Sequence, residues 1–134
     1  MNKQLNLILQ LAKTEALLSR RLISQGLGFG EFALLYHLHQ SPEGKLRRID
    51  LADKVGLTAS GITRMLIPLE KLKIIERNTD DLDARARFAS LTPAGKELFE
   101  NALANISEKI EDILPEVKGE KLEEFTSFLS DIRA

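Results

Sequence analysis

The stretch from Ile49 to Thr92 constrains the fold of this chain more than any other feature. It holds two short helical patterns that meet at the turn Val55 to Thr58. A charged hairpin pattern, RNTDDLDARARFASLT, follows from Arg77 to Thr92. A helix pair followed by a basic hairpin, or wing, is an arrangement suited to gripping duplex DNA. The stretch therefore predicts a nucleic-acid-binding unit.

Size and composition exclude several classes of protein. The chain has 134 residues, no cysteine and a formal net charge of -1. Such a length supports one domain with a real core, and the lack of cysteine rules out disulfides and thiolate metal sites. No apolar run approaches the roughly 20 residues needed to cross a bilayer, and the start MNKQLNLILQLAK lacks a small-residue cleavage site. We expect a cytoplasmic protein with no membrane partner.

The charge is distributed unevenly along the chain. Lys45 to Lys96 contains 11 Lys or Arg against 7 Asp or Glu, a surplus of +4, whereas the remainder contains 8 against 13, or -5. The positive residues thus coincide with the helix pair and the hairpin, which favours a local site for nucleic acid. Because +4 is modest, an evenly solvated surface remains the alternative.

Gly, Pro and hydroxyl residues divide the chain into elements. The helices predicted before the hairpin cover Leu5 to Ile23, Glu31 to Gln40, Ile49 to Val55, and Thr58, as N-cap, to about Lys73. The strands predicted in the hairpin are Ile74 to Asn78 and Arg85 to Leu91, around the acidic tip Asp80, Asp81 and Asp83. Thr92-Pro93 starts a long helix, and a last helix follows Gly119 with Leu122, Phe125, Leu129 and Ile132 along one stripe.

The fourth helix has two contrasting faces. Residues three and four apart share a side of a helix, which places Ile62, Met65, Leu66, Leu69 and Leu72 inward. The opposite side carries Ser60, Arg64, Ile67 and Lys71, with Thr63 beside them. Hydroxyls and an arginine near a helix N-terminus suit phosphates and base edges in a major groove, although a merely solvated face is the commoner meaning of such a pattern alone.

The hairpin adds a second cationic element. Asp83 and Arg85 lie two apart, so both would point to the same face of a strand, and Arg87 continues that face. A carboxylate beside a guanidinium can hold the arginine in one orientation for a narrow, electronegative minor groove. Taken alone, the pair is more often a surface salt bridge worth under about 1 kcal/mol. Its place in a wing favours DNA binding.

The run from Leu51 to Leu98 resembles the winged helix-turn-helix of the MarR family of bacterial transcriptional regulators. The matching residues, in order, are Leu51-Ala52, Gly56-Leu57, Ser60, Ile62, Thr63, Arg64, Leu69-Glu70, Glu76-Arg77, Asp83-x-Arg85 and Leu91-Thr92-Pro93-Ala94-Gly95. Each piece is weak alone, but the ordered series is specific.

The resemblance implies a mainly α fold: a winged helix-turn-helix with a wing of two short strands, plus N- and C-terminal dimerisation helices. Residues 1–134 would form one unit, with the DNA-binding lobe at 30–92 and the dimerisation helices at 1–25 and 93–134. A homodimer would bind double-stranded DNA at a pseudo-palindromic operator, repress transcription, and be released by a small, often phenolic, effector. The expected DNA-binding residues are Thr58, Ser60, Gly61, Thr63, Arg64, Arg77, Asp83, Arg85 and Arg87.

Several residues depart from the family pattern. Lys73 stands where the family usually has a Gly suited to a left-handed backbone. Pro68, inside helix four, predicts a kink or early loosening, and Gly61 costs helix stability on the order of 1 kcal/mol while permitting close approach to DNA. Arg47 and Arg48 replace a usual cap before helix three, either for phosphate contact or as solvated cations.

The two histidines do not form a metal site. His37 and His39 lie about 200 degrees apart around a helix, so they cannot chelate one ion together. We expect His39 to pack beside Phe32, Leu35 and Tyr36, the alternatives being a lining role in an effector pocket or pH sensing.

Two other functional classes are weighed against a DNA-binding regulator. The sequence has no Gly-rich phosphate loop, no Ser/His/Asp order and no metal motif, so we expect neither an enzyme nor a cofactor. A winged helix that binds protein rather than DNA is the other alternative, and the apolar stripes of the terminal helices could also close a monomeric core. Salt-sensitive binding to DNA would separate these classes.

Overall fold

The computed structural model describes residues 2–79, 87–114 and 118–133 of the chain. Within these ranges it contains six helices and three strands. In chain order they are α1 (Lys3–Arg21), α2 (Phe29–Gln40), β1 (Lys45–Arg47), α3 (Arg48–Val55), α4 (Ala59–Lys71), β2 (Ile75–Thr79), β3 (Arg87–Leu91), α5 (Pro93–Ile113) and α6 (Gly119–Ile132). The predicted mainly α winged helix fold is confirmed.

Local chemistry explains where the helices of the winged unit begin and end. Thr58 and Thr92 each cap a helix, accepting hydrogen bonds from the backbone N–H groups of Gly61 and Gly95, and Pro93 opens α5 as predicted. Helix α3 ends at Gly56, whose φ of 72° is left-handed and favours glycine. The sequence located these boundaries correctly.

The sheet has three antiparallel strands in the order β1-β3-β2. The wing strands β2 and β3 were predicted, whereas β1 was not, so a wing of two strands is an incomplete description. Leu46 of β1 and Arg77 of β2 both pair with Ala89 of the central strand. Since Ala89 is 1% exposed, these paired positions face the core side of the sheet.

The core lies between the sheet and helices α2 to α5. Its largest fully buried side chains are Phe99, Leu34, Leu35, Leu38, Leu51, Ile62, Leu66, Leu69, Ile75 and Ile106. Gly95 brings α5 against the chain before β2, where a Cβ atom would collide with the carbonyl oxygen of Ile74. This close approach fixes α5 on the winged unit.

The two terminal helices have a different character. Neither α1 nor α6 contains a buried residue. Their exposed apolar side chains include Leu5, Ile8, Leu9, Leu17, Leu122, Phe125, Phe128, Leu129 and Ile132. None of the helices that the structure describes is long and apolar enough to cross a membrane.

Three sequence predictions about α4 meet different outcomes. The helix stops at Lys71, so Leu72, expected to be buried, is instead 70% exposed. Lys73 has a φ of 60°, the left-handed conformation expected at the position where the family has Gly. Pro68 does not end the helix, which continues for another turn to Lys71.

Candidate nucleic-acid interface

Helix α4, called here the reading helix, presents the predicted polar face. Ile62, Leu66 and Leu69 are buried against the core. Ser60, Arg64, Ile67 and Lys71 are exposed. A helix with one face in the core and a cationic, hydroxyl-bearing face outside can enter a major groove without losing its packing.

The N-terminal end of the reading helix is shaped by its cap. Thr58 accepts from the N–H of Gly61 at 3.1 Å, so one acceptor position of the Thr58 hydroxyl is used by the helix cap. A Cβ atom at Gly61 would lie 3.3 Å from that hydroxyl oxygen, which is tight. Local packing therefore favours glycine at position 61, in addition to the DNA role inferred from the sequence.

Thr63 differs from its exposed neighbours on the reading helix. Its side-chain oxygen donates to the Ala59 carbonyl at 3.0 Å and accepts from Nη2 of Arg48 at 2.6 Å. A hydroxyl has one proton to donate, and here that proton is used inside the helix. The DNA-binding role of Thr63 stays a prediction, and in this geometry its hydroxyl proton is donated to Ala59.

Three arginines from different elements form an arginine cluster, defined here as Arg48, Arg77 and Arg87. Arg48 opens α3, Arg77 lies in β2, and Arg87 opens β3. Burial lowers the pKa of Arg48 below its ordinary value, and the positive charges of Arg77 and Arg87 lower this pKa further, whereas Glu70 raises it. Glu70 pairs with Arg77 at 3.2 Å, and this arrangement leaves the cluster with more positive than negative charge.

The cluster borders a groove between α3, the reading helix and the wing. Its cationic lining comes from Arg47, Arg48 and Arg87, and its apolar lining includes Ala52 and Ile62. On the other face of the sheet, the Nζ of Lys45 lies 4.9 Å and the guanidinium carbon of Arg47 lies 5.9 Å from the centre of the Phe88 ring. Lys45 and Arg47 therefore share one face of β1, and Leu46 lies on the other face.

The structure brings together some of the predicted DNA-binding residues and not others. Thr58, Ser60, Gly61, Thr63 and Arg64 share the first turns of the reading helix, with Arg77 and Arg87 on the adjoining sheet. Asp83 and Arg85, and hence the proposed pair between them, lie outside the described residues. The sequence did not predict the contact of Arg48 with Thr63, because the two are 15 positions apart and joined only by folding.

The histidines are not arranged as metal ligands. His39 packs against Phe99, with ring centres 4.8 Å apart, and its Nε2 lies 3.6 Å from a carboxylate oxygen of Glu100. Packing was expected, but its partner on α5 was not. Across the described ranges, 2–79, 87–114 and 118–133, no group of three or more acidic or histidine side chains could hold a metal ion.

These features define a winged helix-turn-helix protein with a cationic surface on its reading helix and wing. Residues 30–86 match the sequence profile of the MarR family. This match over the winged helix-turn-helix confirms the resemblance found in the sequence.

Solved structures share the fold over nearly the whole chain. Sco3205, a MarR family regulator from Streptomyces coelicolor in complex with DNA, is 21% identical, with a TM-score of 0.84 over 98% of this chain and 86% of its own. A MarR/EmrR family regulator from Acinetobacter sp. ADP1 is 25% identical, with a TM-score of 0.80 over 98% and 92%. Bordetella bronchiseptica BpsR, whose DNA binding is regulated by 6-hydroxynicotinic acid, is 16% identical, with a TM-score of 0.77 over 98% and 99%.

Proposed function

We propose that this protein is a homodimeric repressor that binds a pseudo-palindromic operator and is released by a small aromatic effector. The observation that carries the proposal is the exposed polar face of the reading helix beside the arginine cluster. Ser60 and Arg64 stand on that face, and Arg87 is exposed on the wing. One surface thus offers groups for bases and for phosphates.

The DNA-binding roles follow from exposure and charge. Arg64 can reach a guanine edge bidentately or a phosphate, and the Ser60 hydroxyl can bond either. Arg77, Arg85 and Arg87 would contact the backbone or the neighbouring minor groove, and Asp83 would hold the guanidinium of Arg85 in one orientation. The supporting observation is that, among the described residues, Glu70 pairs with Arg77 and neutralises only part of the charge of the cluster. Phosphates would neutralise the remainder.

The terminal helices support a homodimer. Each carries a row of half-exposed apolar side chains, such as Leu5 and Ile8 on α1 and Phe125 and Ile132 on α6. A monomer rarely leaves so much apolar surface in water, and a twofold axis would cover both rows with the same helices of a second copy. We accordingly propose a DNA-binding lobe at 30–92 and dimerisation helices at 1–25 and 93–134.

An aromatic cluster at the junction of these parts supports an aromatic effector. Phe32 of α2 stacks on Phe99 of α5 with ring centres 5.3 Å apart, and Tyr36, beside Phe99, is 39% exposed. The regulation of BpsR by 6-hydroxynicotinic acid is a precedent for a hydroxylated aromatic ligand within this fold. Such a ligand would release DNA only if it bound one arrangement of the lobes better than the other.

A salt titration with matched charge variants tests the function. The wild type and Arg64→Ala are titrated by fluorescence anisotropy against a duplex from upstream of the protein's own coding region and against a scrambled duplex. We expect wild-type affinity to fall steeply with salt, and Arg64→Ala to lose about 1–3 kcal/mol on the upstream duplex with less base preference. Lys96→Ala removes one exposed charge from the first turn of α5, outside the reading helix and the arginine cluster, and should change little.

The wing is tested separately. Arg85→Ala and Arg87→Ala should each weaken binding to all duplexes to a similar extent, because backbone contacts carry no sequence information. Equal affinity of the wild type and Arg85→Ala would reject the wing assignment of that residue. If the wild type bound no duplex at any salt concentration, the alternative function, a winged helix that binds protein, would be favoured.

A further inference from the structure

The bond between Arg48 and Thr63 joins the first residue of α3 to the second turn of the reading helix. We propose that Arg48 is a positioning residue, which orients the reading helix for its preferred DNA sequence and removes the Thr63 hydroxyl from base recognition. This inference rests on the proposed DNA-binding function. It assigns sequence discrimination to Ser60 and Arg64 and gives Arg48 a role without direct DNA contact.

The hydrogen-bond inventory of Thr63 is the first support. The hydroxyl proton goes to the Ala59 carbonyl, and one lone pair accepts from Nη2 of Arg48 at 2.6 Å. A hydroxyl offers one donor and two acceptor positions, so its only proton is unavailable to DNA. Ser60 and Arg64 are more exposed than Thr63 and remain available for the groove.

The surroundings of Arg48 are the second support. Its Nε–H is buried and has no hydrogen-bond partner among the residues that the structure describes. Arg47, by contrast, is exposed on the adjacent strand. The Arg48 guanidinium is partly buried and already donates a short, charge-assisted bond within the protein. It is therefore better placed to connect α3 to the reading helix than to contact a phosphate.

The hydrogen bond between Arg48 and Thr63 lies where it can affect the orientation of the reading helix on DNA. Arg47 occupies the cap position of α3 without a capping side-chain bond. The two helices also meet in the core, where Leu51 and Ile62 are buried, and at the short turn from Gly56 to Thr58. A bond across this pair limits rotation of the reading helix relative to α3. Small errors in orientation cost specific contacts more than backbone contacts, because base edges demand closer geometry.

A double-mutant cycle tests the proposal. Arg48→Met keeps an unbranched side chain without donors, Thr63→Val keeps the β-branched shape without the hydroxyl, and Thr63→Ser keeps the hydroxyl as a matched control. Each protein, and the Arg48→Met/Thr63→Val double variant, is titrated against two duplexes. One is selected by the wild type from a randomised library, and the other is a scrambled sequence of equal length. The ratio of the two affinities is insensitive to any inactive fraction of protein.

The proposal predicts a specific pattern of coupling. Arg48→Met and Thr63→Val should each lower the affinity ratio by about tenfold, the scale of one charge-assisted hydrogen bond. The double variant should lose no more than either single variant, since both remove the same bond. Thr63→Ser should stay within about twofold of the wild type.

Three results would overturn the proposal while leaving the proposed function standing. If Arg48→Met weakened both duplexes equally, Arg48 would be a phosphate contact. Additive losses in the double variant would show that the Thr63 hydroxyl and Arg48 act independently. A loss in Thr63→Ser as large as in Thr63→Val would assign the effect to the methyl group. Failure of the wild type to prefer any duplex would instead reject the proposed function, and this inference with it.

Discussion

The winged unit buries its large apolar side chains, whereas the terminal helices leave theirs exposed. In the winged unit, α2 to α5 bury large side chains such as Leu35, Leu66 and Phe99 completely. In α1 and α6 no residue is buried, although both helices carry apolar rows. The contrast teaches that the winged unit closes its own core, whereas the terminal helices leave apolar surface that the proposed dimer would cover.

The largest expected effect contrasts one aromatic residue from each region. Phe99→Ala empties a fully buried site and should cost about 3–5 kcal/mol in the free energy of unfolding. Phe125→Ala, at a side chain 50% exposed, should instead raise the dimer dissociation constant, by about tenfold. Urea unfolding at two protein concentrations, with analytical ultracentrifugation, distinguishes the two. An unchanged dimer dissociation constant in Phe125→Ala would contradict the proposed difference between the two regions.

Helix caps provide the next test. The buried Thr92 hydroxyl donates to the carbonyls of Lys73 and Ile74, at 2.6 and 3.1 Å, and accepts from Gly95. Thr92→Ala should therefore cost about 2 kcal/mol of unfolding free energy. Asn2 caps exposed α1 through Gln4 and Leu5, and Asn2→Ala should cost about 0.5–1 kcal/mol. Thermal unfolding measures both, and equal losses would contradict the proposed difference in burial.

A backbone substitution at Lys73 sharpens the account of the winged unit. Because its φ of 60° is left-handed, Lys73→Gly should raise the free energy of unfolding by about 0.5–1 kcal/mol, after allowing for the entropy of the unfolded chain. Lys71→Gly, at the last residue of the reading helix, should lower it by up to about 1 kcal/mol. Chemical denaturation of both variants checks the signs. Destabilisation by Lys73→Gly would show that the side chain matters more than the backbone.

The smallest expected effect is a pH dependence within the winged unit. Burial lowers the pKa of His37 below its ordinary value of 6.5, and the positive charge of Lys54 lowers it further. As the pH falls through 6.5, the unfolded chain therefore binds a proton before the folded one, and stability decreases. His37→Gln should flatten this dependence in unfolding measurements between pH 7.5 and 5.5. A wild type that gained stability from this group on acidification would contradict the assignment.

The sequence predicted local features of the fold well because their causes are local. Thr58, Gly56 and Thr92-Pro93 mark helix ends through interactions within a few residues. The strand β1 escaped prediction because its three residues, Lys45 to Arg47, are too few for their alternation to be recognised, and they pair with a strand about 40 positions later. Leu72 was misplaced because the inward pattern was extended past the last residue of the reading helix.

The candidate site was predictable in outline and less so in its contacts. Spacing alone placed Ser60 and Arg64 on the outer face of the reading helix. It could not show that Thr63 is bonded by Arg48, or that Glu70 pairs with Arg77, because these contacts join separate elements. The exposed face is a property of one helix, whereas the arginine cluster is a property of the folded unit.

Hydroxyl-radical footprinting on the DNA upstream of the protein's own coding region tests the central claim most directly. A dimer presenting two reading helices should protect two segments on one face of the duplex, with centres about 10 base pairs, or a small multiple of that spacing, apart. Arg64→Ala should abolish both together. A single protected segment, or a footprint unchanged by Arg64→Ala, would contradict the account.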